Sequence, residues 1–141
     1  MEFIDIDREN WEEVVSLSDP KDRYIASNLY SIAEAQFYEK AISKAISSNG
    51  VIVGYTMYGE DDDNGDVFWI DRFMIGRHHR RNGYGSAALL KLLELGASMG
   101  FKHIETSTGS ENAPMQQLLK KHGFRTDNKM RYGEVVYYYH C

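Results

Sequence analysis

Paired arginines precede two closely spaced glycines in "HHRRNGYGSAALLKLLELG", His78 to Gly96, where a long apolar helix begins. A helix start leaves its first backbone N–H groups without intrahelical acceptors and carries a partial positive charge, so it suits an anion such as phosphate. Glycines at 83 and 85 remove the side chains that would hold a diphosphate away from those amides, while Arg80, Arg81 and Arg77 add full positive charge beside them. The same spacing also serves as a plain structural turn. A rival reading comes from "GYGSAA", which fits the dinucleotide pattern G-x-G-x-x-A, with Glu105 near the distance of a ribose-binding acid. In that fold the glycines follow the strand at once. Here Gly76 to Asn82 intervene after Ile75, and too little chain follows Gly100 for a doubly wound sheet.

The loop depends on the elements around it. After the apolar start "FIDI", Asp7 is placed to cap a helix through about Leu17, with Trp11, Val14 and Val15 on one side, ended by Asp19-Pro20. From about Ala26 to Ala41, Leu29, Ile32, Ala33, Gln36 and Phe37 recur at helical spacing, with Ser27 or Asn28 as cap, which reads as a second helix, either continuous or broken in two. A short strand, a Ser48-Asn49-Gly50 turn, a strand from Val51 to about Tyr58, the turn "EDDDNGD" and the strand "VFWIDRFMI" then form an antiparallel meander. The long helix runs from Gly83 to about Met99 and stops at Gly100. "KHIETST" is a strand, and "NAPMQQLLKKHG" a helix with Asn112 as cap and Pro114 in its first turn. Two β-like runs, "FRTDNKMRY" and "EVVYYYH", meet near Gly133. This order predicts a mixed α/β sheet in one layered domain spanning residues 1–141.

Composition narrows the function. The chain is 43% hydrophobic and 26% charged, an ordinary globular balance, and its formal charge of -5 argues against a nucleic-acid binder. The sole cysteine, Cys141, allows no internal disulfide and no cysteine-rich metal cluster, and His78 and His79 lack the partners of a metal site. No apolar run approaches a membrane span, so the protein is expected in a reducing cytoplasm.

With "RRNGYG" placed after "VFWIDRFMI", the sequence resembles the GNAT superfamily of acetyl-CoA-dependent N-acetyltransferases, of the α+β class. Arg80, Gly83 and Gly85 match that family's motif R/Q-x-x-G-x-G/A, and "NAPMQQLLKKHGF" is similar to its N-x-x-A-x-x-x-Y-x-x-x-G-F region. The resemblance implies a mostly antiparallel central sheet flanked by about four helices. It implies acetyl-CoA as cosubstrate, with backbone groups of Phe73, Met74 and Ile75 facing the pantetheine arm. The amides from Arg81 through Asn82, Gly83, Tyr84 and Gly85 to Ser86, with Arg80, would hold the diphosphate, and Asn112 would either reach the cofactor or act only as an N-cap. "SIAEA", "VGYTMYG" and "WIDRFMI" look like the bacterial spermine/spermidine acetyltransferase branch.

Acetyl transfer needs an uncharged nitrogen, a polarised thioester carbonyl and a proton for the departing thiolate. A sheet amide near Phe73 can polarise the carbonyl, and a carboxylate can take the ammonium proton. Asp71 and Glu34 lie in the segments that resemble the acceptor site and are the catalytic candidates; a salt bridge and an exposed helix charge are the structural alternatives. The family's proton-donating tyrosine is replaced here by Leu119, leaving Tyr132, Tyr137, Tyr138 or water. A small-molecule amine, in particular a polyamine, fits the acids Glu34, Asp71 and Glu60 to Asp63, with Tyr24, Tyr30, Tyr55 and Tyr58 as candidate groove walls. An aminoglycoside, amino acid or protein amine is the alternative acceptor, and a non-catalytic acyl-CoA sensor the alternative class. The run Tyr137 to Tyr139 reads as a strand with one packed face, suited to a homodimer contact.

Overall fold

Residues 1–19, 21 and 27–141 are described by the computed structural model. Among the described residues, seven strands form one sheet in the order β1-β2-β3-β4-β5-β7-β6. The strands are β1 (Glu2–Asp5), β2 (Ile42–Ser48), β3 (Val51–Glu60), β4 (Val67–Ile75), β5 (His103–Thr108), β6 (Met130–Arg131) and β7 (Glu134–His140). Every neighbouring pair is antiparallel except β4 with β5. The helices are α1 (Trp11–Ser16), α2 (Asn28–Ala35), α3 (Tyr84–Ser98) and α4 (Ala113–Lys121), with a short 3₁₀ turn at Arg77–His79. The expected mixed sheet and its four helices are therefore present.

Two apolar layers flank the sheet. On one face, Leu89, Leu92 and Leu93 of α3 and Leu119 of α4 pack on Tyr58, Phe68, Ile70, Ile104 and Tyr137. On the other, Val14 of α1 and Ala35 of α2 meet Tyr55, Met57 and Met74. Helix α3 lies close to the sheet at Gly96, where a Cβ would come 2.9 Å from Ile104 Cδ1 and 3.2 Å from Phe68 Cγ. Only hydrogen fits there.

Several boundaries differ from the sequence reading. "FIDI" is part of β1, an edge strand beside β2. Asp7 does not cap α1: its carboxylate accepts from the N–H groups of Glu9 and Asn10 in the turn before it, and the helix begins at Trp11. Helix α2 is shorter than predicted, starting after Ser27, whose hydroxyl accepts from Tyr30 N–H, and ending at Ala35. The chain must then descend over β3, where the Lys40 carbonyl would lie 2.1 Å from a Cβ at Gly59, to enter β2 at Ile42. Its buried face is Asn28, Ser31 and Ala35, not the apolar stripe, and Phe37 is 84% exposed beyond its end. Asn28 offsets its burial by donating to the Val14 carbonyl at 2.7 Å, tying α2 to α1. The start predicted at Ala26 and the wall residue Tyr24 lie outside the described residues. Of "FRTDNKMRY", only Met130–Arg131 forms a strand, with an isolated bridge from Arg125 to Tyr138.

Leu119 is fully buried in the α3/α4 layer. Leu119→Ala should lower unfolding free energy by about 2–5 kcal/mol, read from urea denaturation, through lost apolar burial and the cavity left behind.

Candidate active site

The parallel pair β4 and β5 is short. Register runs from Val67↔His103 to Ile70↔Thr106 and then ends. Beyond it β4 stays paired with β3 through Gly54↔Ile75, and β5 with β7 through Thr108↔Val135. Asp71–Ile75 and Ser107–Thr108 therefore face each other across a gap rather than a ladder. A cavity of about 710 Å³ opens there, lined by both strand ends, by Arg80 before α3 and Gly85 in its first turn, and by Asn112, Pro114, Met115 and Leu118 of the α4 region.

A bulge sets which side chains enter it. Met57 pairs with Arg72 and Tyr58 with Ile70, so Asp71 is the extra residue of β4. A bulge shifts side-chain parity by one and re-aims the residues after it. Before Asp71, Phe68 and Ile70 pack toward α3; after it, Phe73 and Ile75 do so, while Met74 packs toward α1 and α2. Arg72 therefore reaches α2: Nε donates to Ser31 Oγ at 3.1 Å and Nη2 to Glu34 Oε1 at 3.2 Å. Asp71 itself is half-buried on the cavity wall. Burial pushes its carboxyl up from 3.8 to about 6, Arg72 opposes this, and Glu34 adds to it. Among the described residues no cation lies within ion-pair distance of Asp71.

The two ends of the cavity differ in charge. At one end stand the carboxylates Glu34, Glu60, Asp61, Asp62, Asp71 and Glu134, with Lys40, Arg72 and Arg131 among them. The three cations are already bound: Lys40 to Glu60, Arg72 to Glu34, and Arg131 to Asp61 at 2.9 Å and Asp63 at 3.3 Å. The Arg131 guanidinium also lies 4.5 Å from the Trp69 ring centroid and 5.0 Å from that of Tyr132. At the other end is the glycine loop. Gly83 caps α3 in the left-handed region at φ 78°, with open space where a Cβ would stand, and Arg81 also has positive φ, at 66°. The first N–H of this turn with a backbone acceptor is that of Ala87, which donates to the Gly83 carbonyl at 3.1 Å. Among the described residues, no hydrogen bond engages the N–H groups from Arg81 to Ser86. Arg80 Nε donates to the Ile75 carbonyl at 3.0 Å, fastening the loop to the end of β4.

Most candidates from the sequence meet at this cavity. Glu34, Asp71, Phe73, Met74, Ile75, Arg80, Gly85 and Asn112 line it; Asn112 also caps α4, its side chain accepting from Met115 N–H. Arg81, Asn82, Gly83, Tyr84 and Ser86 belong to the loop and the first turn of α3 but do not line the cavity. Asn82 holds the loop by donating to the His79 and Arg80 carbonyls, and the Ser86 hydroxyl lies 3.0 Å from His122 Nε2. Tyr55 and Tyr58 are core residues, Tyr55 with its hydroxyl 2.6 Å from Ser43 Oγ, and Tyr30 is exposed away from the cavity. Of the tyrosines weighed as proton donors, Tyr132 reaches the cavity. Tyr137 is buried and donates to Gln116 Oε1, and Tyr138 donates to Asp127. Arg72, Arg131, Trp69, Thr106, Ser107 and Thr108 also line the cavity and were missed. The alternating Thr-Ser-Thr of β5 was a visible signal, whereas Arg131 meets Asp61 across 70 positions.

Residues 2–124 match the family described as Acetyltransferase (GNAT) family. The chain belongs to the GNAT family of acetyltransferases. A relative from Bacillus subtilis subsp. natto (strain BEST195), named Probable spermine N(1)-acetyltransferase, is 31% identical over 123 residues, covering 80% of this chain and 79% of its own. Among solved structures, an acetyltransferase from Thermus thermophilus has a TM-score of 0.80 at 14% identity, covering 99% of this chain and 96% of that one. A Bacillus subtilis acetyltransferase in complex with CoA has a TM-score of 0.72 at 16% identity, covering 99% and 97%. This GNAT protein is an acetyl-CoA-dependent acetyltransferase, and the unengaged amides, the open space at Gly83 and the arginine-fastened loop fit a diphosphate. None of its described helices is long and apolar enough to cross a membrane.

Two outcomes test this geometry. A Cβ at Gly85 meets only Leu118 Cδ2 at 3.5 Å and Ile75 Cγ1 at 4.0 Å, so Gly85→Val should fold yet crowd the cavity, weakening acetyl-CoA binding about tenfold or more by calorimetry. Because folding raises the Asp71 pKa, the native state holds its proton longer than the unfolded chain, and stability falls as pH rises from about 4 to about 6. Asp71→Asn should remove that loss, its stability advantage growing by on the order of 2 kcal/mol between acid and neutral pH in denaturation curves.

Proposed function

We propose that this acetyltransferase moves an acetyl group onto a primary amine of a small polycation of the spermidine/spermine class. The carrying observation is the carboxylate-rich end of the cavity: Glu34, Glu60 and Asp61 are spoken for by cations, but Asp62, Asp71 and Glu134 have none within ion-pair distance among the described residues. Surplus negative charge beside apolar walls attracts an aliphatic polyammonium and disfavours an acceptor bearing its own carboxylate. The name of the Bacillus relative supports the same choice.

In this reading the loop amides from Arg81 to Ser86, with Arg80, hold the diphosphate, and backbone groups of Phe73, Met74 and Ile75 hold the arm. Acetyl-CoA, when bound, supplies the activated acetyl group. A β4 amide near Phe73 polarises the thioester carbonyl of the acetyl donor, as the splayed strand leaves that edge free of β5. Asp71 is ionised at neutral pH, yet its raised pKa lets it take the proton an ammonium must lose before it can attack. Glu34 shapes the acceptor end through Arg72. The lone Cys141 suits a reducing cytoplasm.

Thiol release measured against an amine panel tests the reading. Spermidine and spermine should be turned over and free amino acids should not, kcat/KM should rise with pH through a limb near 6, and Asp71→Asn should cut kcat about a hundredfold. Equal turnover of amino acids, or full turnover by Asp71→Asn, would reject it.

A further inference from the structure

The extra residue in β4 breaks the regular ladder at Asp71, and the carbonyls on either side of it are each held by a threonine hydroxyl. Thr106 Oγ1, at the last paired position of β5, donates to the Ile70 carbonyl at 2.8 Å. Thr56 Oγ1, on β3 at the opposite edge of β4, donates to the Arg72 carbonyl at 2.8 Å. Both threonines are buried, Thr56 at 0% and Thr106 at 3% exposure. Valine has the same shape and suits a strand equally well, so packing alone gives no reason for a hydroxyl at either place. What the hydroxyls add is a pair of directed bonds bracketing one residue from two strands.

We propose that Thr56 and Thr106 are positioning residues that clamp the β4 bulge from both edges, fixing where the Asp71 carboxyl stands at the point where β4 and β5 part. This rests on the reading of Asp71 as the proton acceptor. The groups acting on that carboxyl are Arg72 and Trp69 on β4, Glu34 from α2 and Asp62 from the β3–β4 turn, while Tyr55 on β3 feels its charge in return. Replacing a threonine by valine changes none of them. Any change in how Asp71 titrates then reports its placement and hydration.

The experiment compares Thr56→Val, Thr106→Val, Thr56→Ser, Thr106→Ser and Asp71→Asn, each checked for fold by circular dichroism. Aspartate labelled with ¹³C at Cγ gives the Asp71 titration by NMR without acetyl-CoA, assigned by its loss in Asp71→Asn. Spermidine-dependent thiol release gives kcat and KM. A loosened bulge admits water to a carboxyl whose midpoint burial holds near 6. Each valine variant should therefore move the midpoint down by about half a unit or more and lower kcat about tenfold, with KM for acetyl-CoA within about twofold. The serine variants, which keep the hydroxyl, should titrate like the parent. Should a valine variant not fold, the alanine variant at the same position carries the same readouts. A folded valine or alanine variant with parental midpoint and kcat overturns the proposal, as does a serine variant that titrates like valine. Full turnover by Asp71→Asn would instead strike the proton-acceptor reading, while a downward midpoint in the valine variants would still establish the clamp.

Discussion

The structure turns on the early end of one strand pair. β4 and β5 run parallel through four registered positions, up to Ile70↔Thr106, and no further. A sheet that stops pairing in its interior turns backbone N–H and C=O groups toward a cavity instead of a neighbouring strand, an arrangement that needs each strand to be secured elsewhere. Here each is secured on its outer edge, β4 by β3 and β5 by β7. The gap thus costs little stability, and it supplies an extended backbone edge with directed donors and acceptors at the centre of the molecule. The cavity, the loop fastened by Arg80 and the carboxylate-rich end are all arranged around it.

The bulge at Asp71 explains how one strand serves two incompatible demands. Up to Ile70 the alternation of β4 places Phe68 and Ile70 under α3. If that alternation continued, Arg72 and Met74 would be driven into the same apolar layer, where a guanidinium without a partner is costly. One inserted residue reverses the parity, so Arg72 reaches Ser31 and Glu34 while Phe73 and Ile75 return to the core. This also explains why α2 buries Asn28 and Ser31 rather than an apolar stripe: its inner face meets a polar part of the sheet as well as an apolar one.

The parts legible in the sequence were those fixed locally. The β4 boundaries, the turn at Asn49-Gly50, with both residues at positive φ, the start of the long helix within one residue of Gly83 and the cap Asn112 follow from residue-level rules, and the structure reproduces them. The glycine loop was legible for the same reason. Hidden from sequence were features that depend on two distant segments. "VFWIDRFMI" reads as an unbroken strand, because a bulge is a property of its register with β3. The length of α2 was misread because its end is dictated by passage over Gly59, and its apolar spacing described residues that the fold leaves exposed, such as Leu29 and Phe37. Leu119 occupies the position that the resemblance gives to a tyrosine, yet its side chain is wholly within the α3/α4 layer, while Met115 and Leu118 line the cavity.

Charge segregation completes the logic. A net charge of -5 says little about a site, since what matters is where the surplus lies. Along the cavity the acids gather at the end formed by α2, the β3–β4 turn and β7, and Arg80 of the glycine loop with Gly85 of α3 stands at the other. An anionic cofactor and a cationic acceptor attract each other in solution, and a cavity of uniform charge would hold one and repel the other. In the proposed reading, opposite polarities at its two ends give acetyl-CoA and a polyamine each its own half. The cations within the acidic half do not undo this, because Lys40, Arg72 and Arg131 are each matched to a carboxylate, and Arg131 is further held between the Trp69 and Tyr132 rings. Asp71, Asp62 and Glu134 are left as the surplus that the proposed polyamine acceptor would meet.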